Sequence, residues 1–404
     1  MGGGAPPEPI GYTSAMSTPS DPLAEALAAA GLSGAVPGGP APAAPDPGGL
    51  LVTAPEPERV EEPPVRWSAG AATGVGSLPG TVAREAAATV VGELPALPHL
   101  PELPARGAGA DPIGRAAALL VDLAVEVVPT AYRVTARPGR DQRRAVDLLR
   151  GDVDAFDEAC DPVRPDWVKV QVAGPWTLAA SVELRSGHRV LTDHGAVREF
   201  TESLAEGLCG HVAEIAARTG ARVLVQLDEP SLPAVLCGSL PTASGYGTVR
   251  AVPEPEVADA LRGMVDQLAA PVVVHCCAER PPVRLLAGIG AAGIGIDATQ
   301  PALSGDTAVP AMLDALGEVW DTGTPLLLGL VPVQAPSRPP ELKELARTAF
   351  DLADRLGFDR SRLPELVVPT PACGLVGATP EWARRAMSLA RQLGEAFTDP
   401  PEGW

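Results

Sequence analysis

From Trp67 onward, short continuous apolar runs alternate with longer stretches in which apolar residues recur at helical spacing. A run that is apolar throughout, rather than at every second residue, is typical of a parallel strand buried on both faces. We interpret eight such runs as strands, at residues 72–77, 131–136, 168–173, 222–228, 271–277, 293–297, 326–331 and 366–369.

The stretches between these runs predict helices. The clearest cover residues 193–219, 255–269, 310–319, 340–356 and 380–394. The last one begins with Thr379, Pro380 and Glu381, which supply a cap, a proline in the first turn and an acid at the positive end of the helix dipole. Strands that alternate with helices suggest a doubly wound sheet or a (β/α)8 barrel. The eight strand candidates favour a single (β/α)8 TIM barrel over residues 67–404.

The first 66 residues differ from the rest in composition, because they contain 14 prolines and 10 glycines. Such a segment buries too little apolar surface to offset the entropy lost on ordering. We therefore expect residues 1–66 to be a disordered Pro/Gly/Ala-rich tail that precedes the barrel.

Charge and cysteine content limit the function classes. The formal net charge is −19, which argues against nucleic acid or an anionic membrane surface as a partner. No apolar run approaches the ~20 residues of a membrane span, and the N-terminus shows no secretory signal. Six cysteines without framework spacing fit a reducing compartment, so we expect a cytoplasmic protein.

Chemically versatile side chains follow several of the predicted strands, where a barrel collects its functional groups. His275, Cys277, Asp297 and Cys373 offer nitrogen, sulfur and oxygen ligands, which is the donor set that zinc prefers. We choose Cys277 over Cys276 because residues two apart share one face of a strand.

Taken singly, each of these residues has a plain structural interpretation. A histidine or cysteine near the end of a buried strand is commonly a core residue, and an aspartate there is commonly a helix cap. The metal hypothesis depends on four candidate ligands at the same end of one barrel. The remaining histidines, which have no partner at a suitable spacing, are expected on the solvated surface.

Two further strand ends carry polar groups. Asp228 and Glu229 follow one strand and could bind an amine or orient a base, or could simply form a turn and a helix start. Gly76 and Ser77 lie in a tight turn whose backbone N–H groups could hold a carboxylate.

With these residues in view, the chain resembles the cobalamin-independent methionine synthase family, specifically its C-terminal, zinc-binding catalytic barrel in a short, single-barrel form. The resemblance runs in order over about residues 67–390. The matching segments are Thr73-Gly74-Val75-Gly76-Ser77-Leu78-Pro79, Gly174-Pro175-Trp176-Thr177, Gln226-Leu227-Asp228-Glu229-Pro230, His275-Cys276-Cys277, Ile296-Asp297-Ala298-Thr299 and Ala372-Cys373-Gly374-Leu375.

The resemblance implies an enzyme of methionine biosynthesis, a zinc-dependent methyltransferase that transfers a methyl group to the thiol of homocysteine. His275, Cys277, Cys373 and Asp297 would hold zinc, although the family usually has glutamate at the last of these positions. The backbone of Val75, Gly76 and Ser77 would bind the carboxylate of the amino acid. Asp228 would bind its ammonium group as a catalytic-site residue.

Three departures from the family concern the methyl donor. Ser181 or a neighbour stands for the residue that stacks on folate, and Ala234 stands for an acid that contacts the pterin. The position of the catalytic histidine falls near Leu330. The donor is therefore open among methyltetrahydrofolate, another small methyl donor and a methyl-corrinoid protein. The alternatives are a decarboxylase-like barrel, a corrinoid-dependent methyltransferase acting on another thiol, and a non-catalytic zinc-binding barrel.

Overall fold

The structure is a computed structural model, and it describes residues 66–129, 131–242, 245–301, 303, 309–402 and 404. The strands are β1 (Ala124–Val128), β2 (Ala131–Thr135), β3 (Trp167–Ala173), β4 (Val182–Glu183), β5 (Arg222–Asp228), β6 (Val272–Cys276), β7 (Gly293–Ile296), β8 (Leu326–Val331) and β9 (Val367–Pro371). The helices are α1 (Ala83–Glu93), α2 (Pro112–Leu119), α3 (Arg140–Cys160), α4 (Pro175–Ser181), α5 (His194–Thr219), α6 (Leu232–Cys237), α7 (Glu254–Gln267), α8 (Val283–Ala287), α9 (Pro310–Asp321), α10 (Leu342–Leu356), α11 (Leu363–Leu366) and α12 (Pro380–Thr398). Short 3-10 turns cover Pro104–Arg106, Val190–Thr192 and Arg360–Arg362.

The central sheet contains six strands in the order β3-β5-β6-β7-β8-β9, and every pair in it is parallel. Helices or helical turns connect the successive strands, as parallel pairing requires. The carboxyl ends of all six strands therefore lie on one rim.

Two extended segments continue this sheet and join its edges. Residues 98–102 lie beside β3, where Leu100 N donates to Lys169 O over 2.8 Å. Residues 73–78 lie next, with Leu78 N donating to Glu102 O over 2.9 Å, and Thr73 N reaches Pro369 O of β9 over 3.3 Å. Six strands and two irregular segments thus surround one interior, and the TIM-barrel-like fold is confirmed.

The prediction for residues 131–136 was wrong in its placement. This segment forms β2, which pairs antiparallel with β1 and parallel with β4 in a separate three-stranded sheet. Its residues are all partly exposed, so it lacks the two buried faces of a barrel strand. The true barrel segment, residues 98–102, was missed because Pro98 and Pro101 interrupt it and cannot donate ladder hydrogen bonds.

The five predicted helices are confirmed, and their ends have local causes. Asp193 caps α5 by accepting from Ala196 N, and the helix stops at Gly220, whose φ of 69° is left-handed. Thr379 caps α12 by accepting from Trp382 N, directly before the proline that opens the helix.

The core has two parts. The larger lies between the sheet and the surrounding helices. The smaller part, which we call the inner apolar layer, fills one end of the barrel. Five of the barrel strands each contribute one inward-facing residue to it. It contains Trp67, Ala71, Leu97, Trp167, Leu224, Val273, Leu327 and Val368.

Some predictions concern residues away from the barrel strands. The predicted tail, residues 1–66, lies outside the described residues except for Arg66, whose Nη1 donates to Gly323 O over 2.6 Å. The expectation that the remaining histidines are solvated was wrong for His99 and His211, which are buried in the core. Among the helices of the described residues, none combines the length and the apolar character needed to cross a membrane.

Candidate metal centre and adjoining cavity

Three of the predicted metal ligands meet at the carboxyl rim of the barrel. His275 lies near the end of β6, Cys277 directly follows that strand, and Cys373 follows β9. Their ligand atoms all lie within 4.8 Å of one another. Cys276 points the opposite way and is fully buried in the larger core. The strand alternation thus separates two adjacent cysteines into one candidate ligand and one packing residue.

The ring of His275 is held with one nitrogen toward the cluster. Its Nδ1 lies 2.7 Å from Asp228 Oδ1, a carboxylate at the end of the neighbouring strand β5. Its Nε2 is buried and has no hydrogen-bond partner among the described residues. A carboxylate on one imidazole nitrogen and a free second nitrogen is the usual arrangement of a histidine that binds a metal.

The two thiols behave as one ionising unit. Cys277 Sγ and Cys373 Sγ lie 3.1 Å apart and share a hydrogen bond. This hydrogen bond lowers the pKa of Cys373 and raises the pKa of Cys277. Cys373 is therefore the thiol of the pair that ionises more readily. One thiolate, a second thiol and a free imidazole nitrogen form a donor set that fits zinc.

Asp297 lies at the end of β7 but stays outside this cluster. Its Oδ1 accepts from Thr299 N over 2.9 Å and from Thr299 Oγ1 over 2.6 Å, while its Oδ2 accepts from Gln300 Nε2 over 2.9 Å. An aspartate side chain is one methylene shorter than a glutamate side chain, and here both oxygens are used within its own turn. The structure therefore brings together three of the four predicted ligands and not the fourth.

The turn at Val75, Gly76 and Ser77 borders the same cavity. Within the described part of the chain, none of these three backbone N–H groups donates a hydrogen bond, whereas the carbonyls of Gly76 and Ser77 accept from Glu102 N and Leu375 N. A Cβ on Gly76 would lie 2.8 Å from Gln171 Cγ, so the backbone passes close to the barrel wall. Free N–H groups in a fixed turn are suited to a carboxylate.

Asp228 also lines the cavity, together with an acid that the sequence reasoning missed. Glu102 is buried, and burial raises its pKa to about 7 although Arg115 opposes this shift. Arg115 Nε lies 3.5 Å from Glu102 Oε1, and the same guanidinium pairs with Asp152. Glu102 would have been noticed if residues 98–102 had been recognised as a barrel segment, because it stands at its carboxyl end.

The cavity that joins these groups has a volume of about 200 Å3. Its lining includes the predicted substrate residues and three of the four predicted metal ligands, without Asp297, along with small and apolar neighbours. The neighbours are Pro112, Ala173, Thr177, Pro230, Gly374 and Val376. A larger groove of about 410 Å3 lies between α5 and α7, but it contains no cysteine. The chemistry therefore points to the smaller cavity.

The three positions expected to contact folate do not line this cavity. Ser181 lies at the end of α4, where its hydroxyl donates to Thr177 O over 2.7 Å. Ala234 lies within α6, and Leu330 is buried in the larger core. None of the three residues offers the ring, acid or imidazole that the family uses.

Known proteins are similar to this chain in sequence family and in structure. A family model described as the catalytic domain of cobalamin-independent synthase matches residues 70–396. Among solved structures, a B12-independent methionine synthase from Shewanella sp. W3-18-1 in complex with selenomethionine is 13% identical, with a TM-score of 0.49, over 82% of this chain and 97% of that one. A methyltransferase from Methanosarcina mazei is 15% identical, with a TM-score of 0.47, over 81% of this chain and 94% of that one. A search of curated proteins found no match.

Proposed function

The chain belongs to the family of cobalamin-independent synthase catalytic domains, and from that premise we propose that it is a zinc-dependent methyltransferase that methylates the thiol of homocysteine. The observation that carries the proposal is the meeting of His275, Cys277 and Cys373 beside a cavity that free backbone N–H groups and carboxylates also line. The product would be methionine.

Zinc would be held by His275 Nε2, Cys277 Sγ and Cys373 Sγ. When bound, zinc lowers the pKa of a coordinated thiol so that the sulfur is available as the thiolate, which is the nucleophilic form. Three protein ligands are typical of a catalytic zinc site, in which the remaining position is open to substrate. Asp297, the fourth predicted ligand, would first have to leave Thr299 and Gln300.

The amino-acid part of homocysteine would bind across the same cavity. The N–H groups of Val75, Gly76 and Ser77 would donate to its carboxylate. Asp228 and Glu102 would accept from its ammonium group, and Asp228 also orients His275 through the 2.7 Å contact at Nδ1. These contacts hold the thiol in place, and positioning of a bound nucleophile is a large part of the barrier reduction in such transfers.

The methyl donor follows from what the cavity lacks. With Ser181, Ala234 and Leu330 away from the cavity, the described residues supply no folate stacking group and no second imidazole there. We propose a donor other than methyltetrahydrofolate, either a small methyl compound or a methyl-corrinoid protein. The reaction would need a reducing compartment such as the cytoplasm, because both sulfur ligands must stay reduced, and all six cysteines are free.

Metal analysis is the first test, and Cys277→Ala paired with Cys276→Ala is the matched experiment. We expect about one zinc per chain in the unaltered protein, a loss of zinc in Cys277→Ala, and retention in Cys276→Ala, because only Cys277 belongs to the cluster. Equal zinc content in both variants would contradict the proposed site.

Substrate class is tested by X-ray absorption at the zinc edge with and without homocysteine. We expect one additional zinc–sulfur contact when the thiol is added. Methyl transfer is then measured from methyltetrahydrofolate, methylcobalamin and a methylated corrinoid protein. Zinc without a new sulfur contact would indicate a non-catalytic zinc-binding barrel, and efficient transfer from methyltetrahydrofolate would exclude the non-folate donor.

A further inference from the structure

Lys169 lies inside the barrel, between the inner apolar layer and the candidate metal site. It belongs to β3, two residues after Trp167 of that layer, and its side chain is fully buried. Its Nζ donates to Gln226 Oε1 over 2.8 Å, to Val75 O over 3.1 Å and to Gln171 Oε1 over 3.3 Å. These three acceptors match the three donors of an ammonium group.

A buried lysine without a close carboxylate is costly, so its presence requires a reason. Lys169 forms none of the ion pairs found among the described residues, in which nearby acids such as Glu102 and Asp228 pair with other groups. No carboxylate oxygen of those residues therefore lies within 4.0 Å of its Nζ. Burial lowers its pKa to about 8, and the carboxylates of Asp228 and Glu102 oppose this shift from farther away. The chain has only two lysines among 31 basic residues, so an amine rather than a guanidinium here is exceptional.

Lys169 determines the orientation of the Gln226 amide. Because Oε1 of Gln226 accepts from Lys169, its Nε2 is left to donate to Val75 O and to Asp228 Oδ1, each over 2.8 Å. The opposite amide orientation would place Nε2 against the ammonium group and Oε1 against the carboxylate. The lysine thus acts on Asp228 through one intervening side chain.

Lys169 also fixes the peptide between Val75 and Gly76. The carbonyl of Val75 accepts from both Lys169 Nζ and Gln226 Nε2, so it points into the barrel. The peptide is trans, as all are among the described residues, and in a trans peptide the C=O and the N–H point in opposite directions. The N–H of Gly76 is therefore directed away from Lys169, and Gly76 lines the cavity.

We propose that Lys169 is a positioning residue for the carboxylate of an α-amino-acid substrate. It holds the Val75–Gly76 peptide with its N–H toward the cavity, and it places a positive charge beneath the turn that receives the carboxylate. This inference rests on the proposed function, which it deepens by assigning the recognition of the carboxylate to a group that does not itself touch the substrate.

The test compares two thiols on the zinc-loaded protein by calorimetry. One is homocysteine, and the other is its decarboxylated analogue, an aminopropanethiol that keeps the thiol and the amine. In Lys169→Met we expect the affinity for homocysteine to fall by about tenfold or more, while the affinity for the analogue changes by less than about twofold. Lys343→Met, at the other lysine, which is exposed on α10, is the matched control and should leave both affinities unchanged.

Other outcomes identify what has failed. Equal weakening of both thiols in Lys169→Met would indicate a general structural role and overturn the inference, as would unchanged binding of both. If Lys169→Met does not fold, Lys169→Gln, which keeps a donor but loses the charge, should show the same selective loss. If the unaltered protein binds neither thiol, the proposed function itself fails.

Discussion

The two ends of the barrel interior are built from the same strands but differ in composition. In β3, Trp167 belongs to the inner apolar layer and Lys169 to the polar network above it. In β6, Val273 packs in the same layer, and His275 reaches the candidate metal site two residues later. One strand periodicity places all of these side chains inside, and position along the strand decides whether a residue packs or takes part in chemistry.

The difference teaches how a polar site is kept rigid inside a barrel. The inner apolar layer closes the amino-terminal end, where Trp67 stacks edge-on against Trp167 at 6.4 Å and Arg222 covers the same ring at 4.5 Å. The polar groups above it hydrogen-bond to one another, so that each side chain has a restricted position. Substitutions in the inner apolar layer should therefore reduce stability, whereas substitutions in the polar site above it should reduce metal binding.

The largest effect is expected for His275→Ala in the candidate metal site above the inner apolar layer. We expect zinc content to fall to near zero and methyl transfer to be lost by more than the ~10–100-fold typical of residues behind the ligands. The melting temperature of the zinc-free protein should change little, because the removed ring faces a cavity. Retained zinc, measured by elemental analysis, would contradict the assignment of this histidine.

Leu224→Ala tests the inner apolar layer. Leu224 is fully buried, so we expect the free energy of unfolding to fall by ~2–5 kcal/mol, measured by denaturant titration. Zinc content per folded chain should stay near that of the unaltered protein. If zinc were lost in proportion to stability, the two layers would not be separable.

Acid should destabilise the helices around the barrel through protonation of His211, which is buried on α5. Burial lowers the pKa of His211 to about 4 from its ordinary value of 6.5. Between these values the unfolded state binds more protons than the folded one, so stability is greatest above pH ~6.5 and falls as the pH drops toward 4. The shift corresponds to about 3 kcal/mol. His211→Gln should show a shallower loss of stability across this interval, and an identical pH profile would exclude this cause.

Asp228→Asn tests the support of the metal site without removing a ligand. Because Asp228 orients His275 through Nδ1, we expect zinc affinity to fall by ~10–100-fold, measured by competition with a chelator. Asp297→Asn is the matched control, since Asp297 lies outside the cluster, and its zinc affinity should be unchanged. A larger loss in Asp297→Asn than in Asp228→Asn would make Asp297 a ligand.

The smallest effect is expected on the surface. Arg284 on α8 and Glu318 on α9 form an exposed ion pair with Nη2 and Oε1 2.8 Å apart. Arg284→Ala should leave both melting temperature and zinc content within experimental error, because exposed pairs are screened and cost side-chain entropy. A clear loss of zinc would show that the site depends on general integrity rather than on its own residues.

Several features were predictable from short-range pattern. The five helices and most of the barrel strands follow from hydrophobic periodicity and caps, as at Asp193 and Thr379. The partition of Cys276 and Cys277 between core and rim follows from the two-residue period of a strand. The exclusion of β2 from the barrel was not predictable, because an apolar run of that length suits a small side sheet as well as a barrel strand.

The chain's own sequence determined the alternation of strands and helices, the order of the motifs and the set of residue types that reach the rim. The tertiary structure alone decided that His275, Cys277 and Cys373 meet while Asp297 stays in its own turn, and that Glu102 and Lys169 join the site. The physical reason is range. Periodicity and capping act over a few residues, whereas the distance between two side chains on different strands is set by barrel closure and by the competing hydrogen bonds that each side chain finds locally.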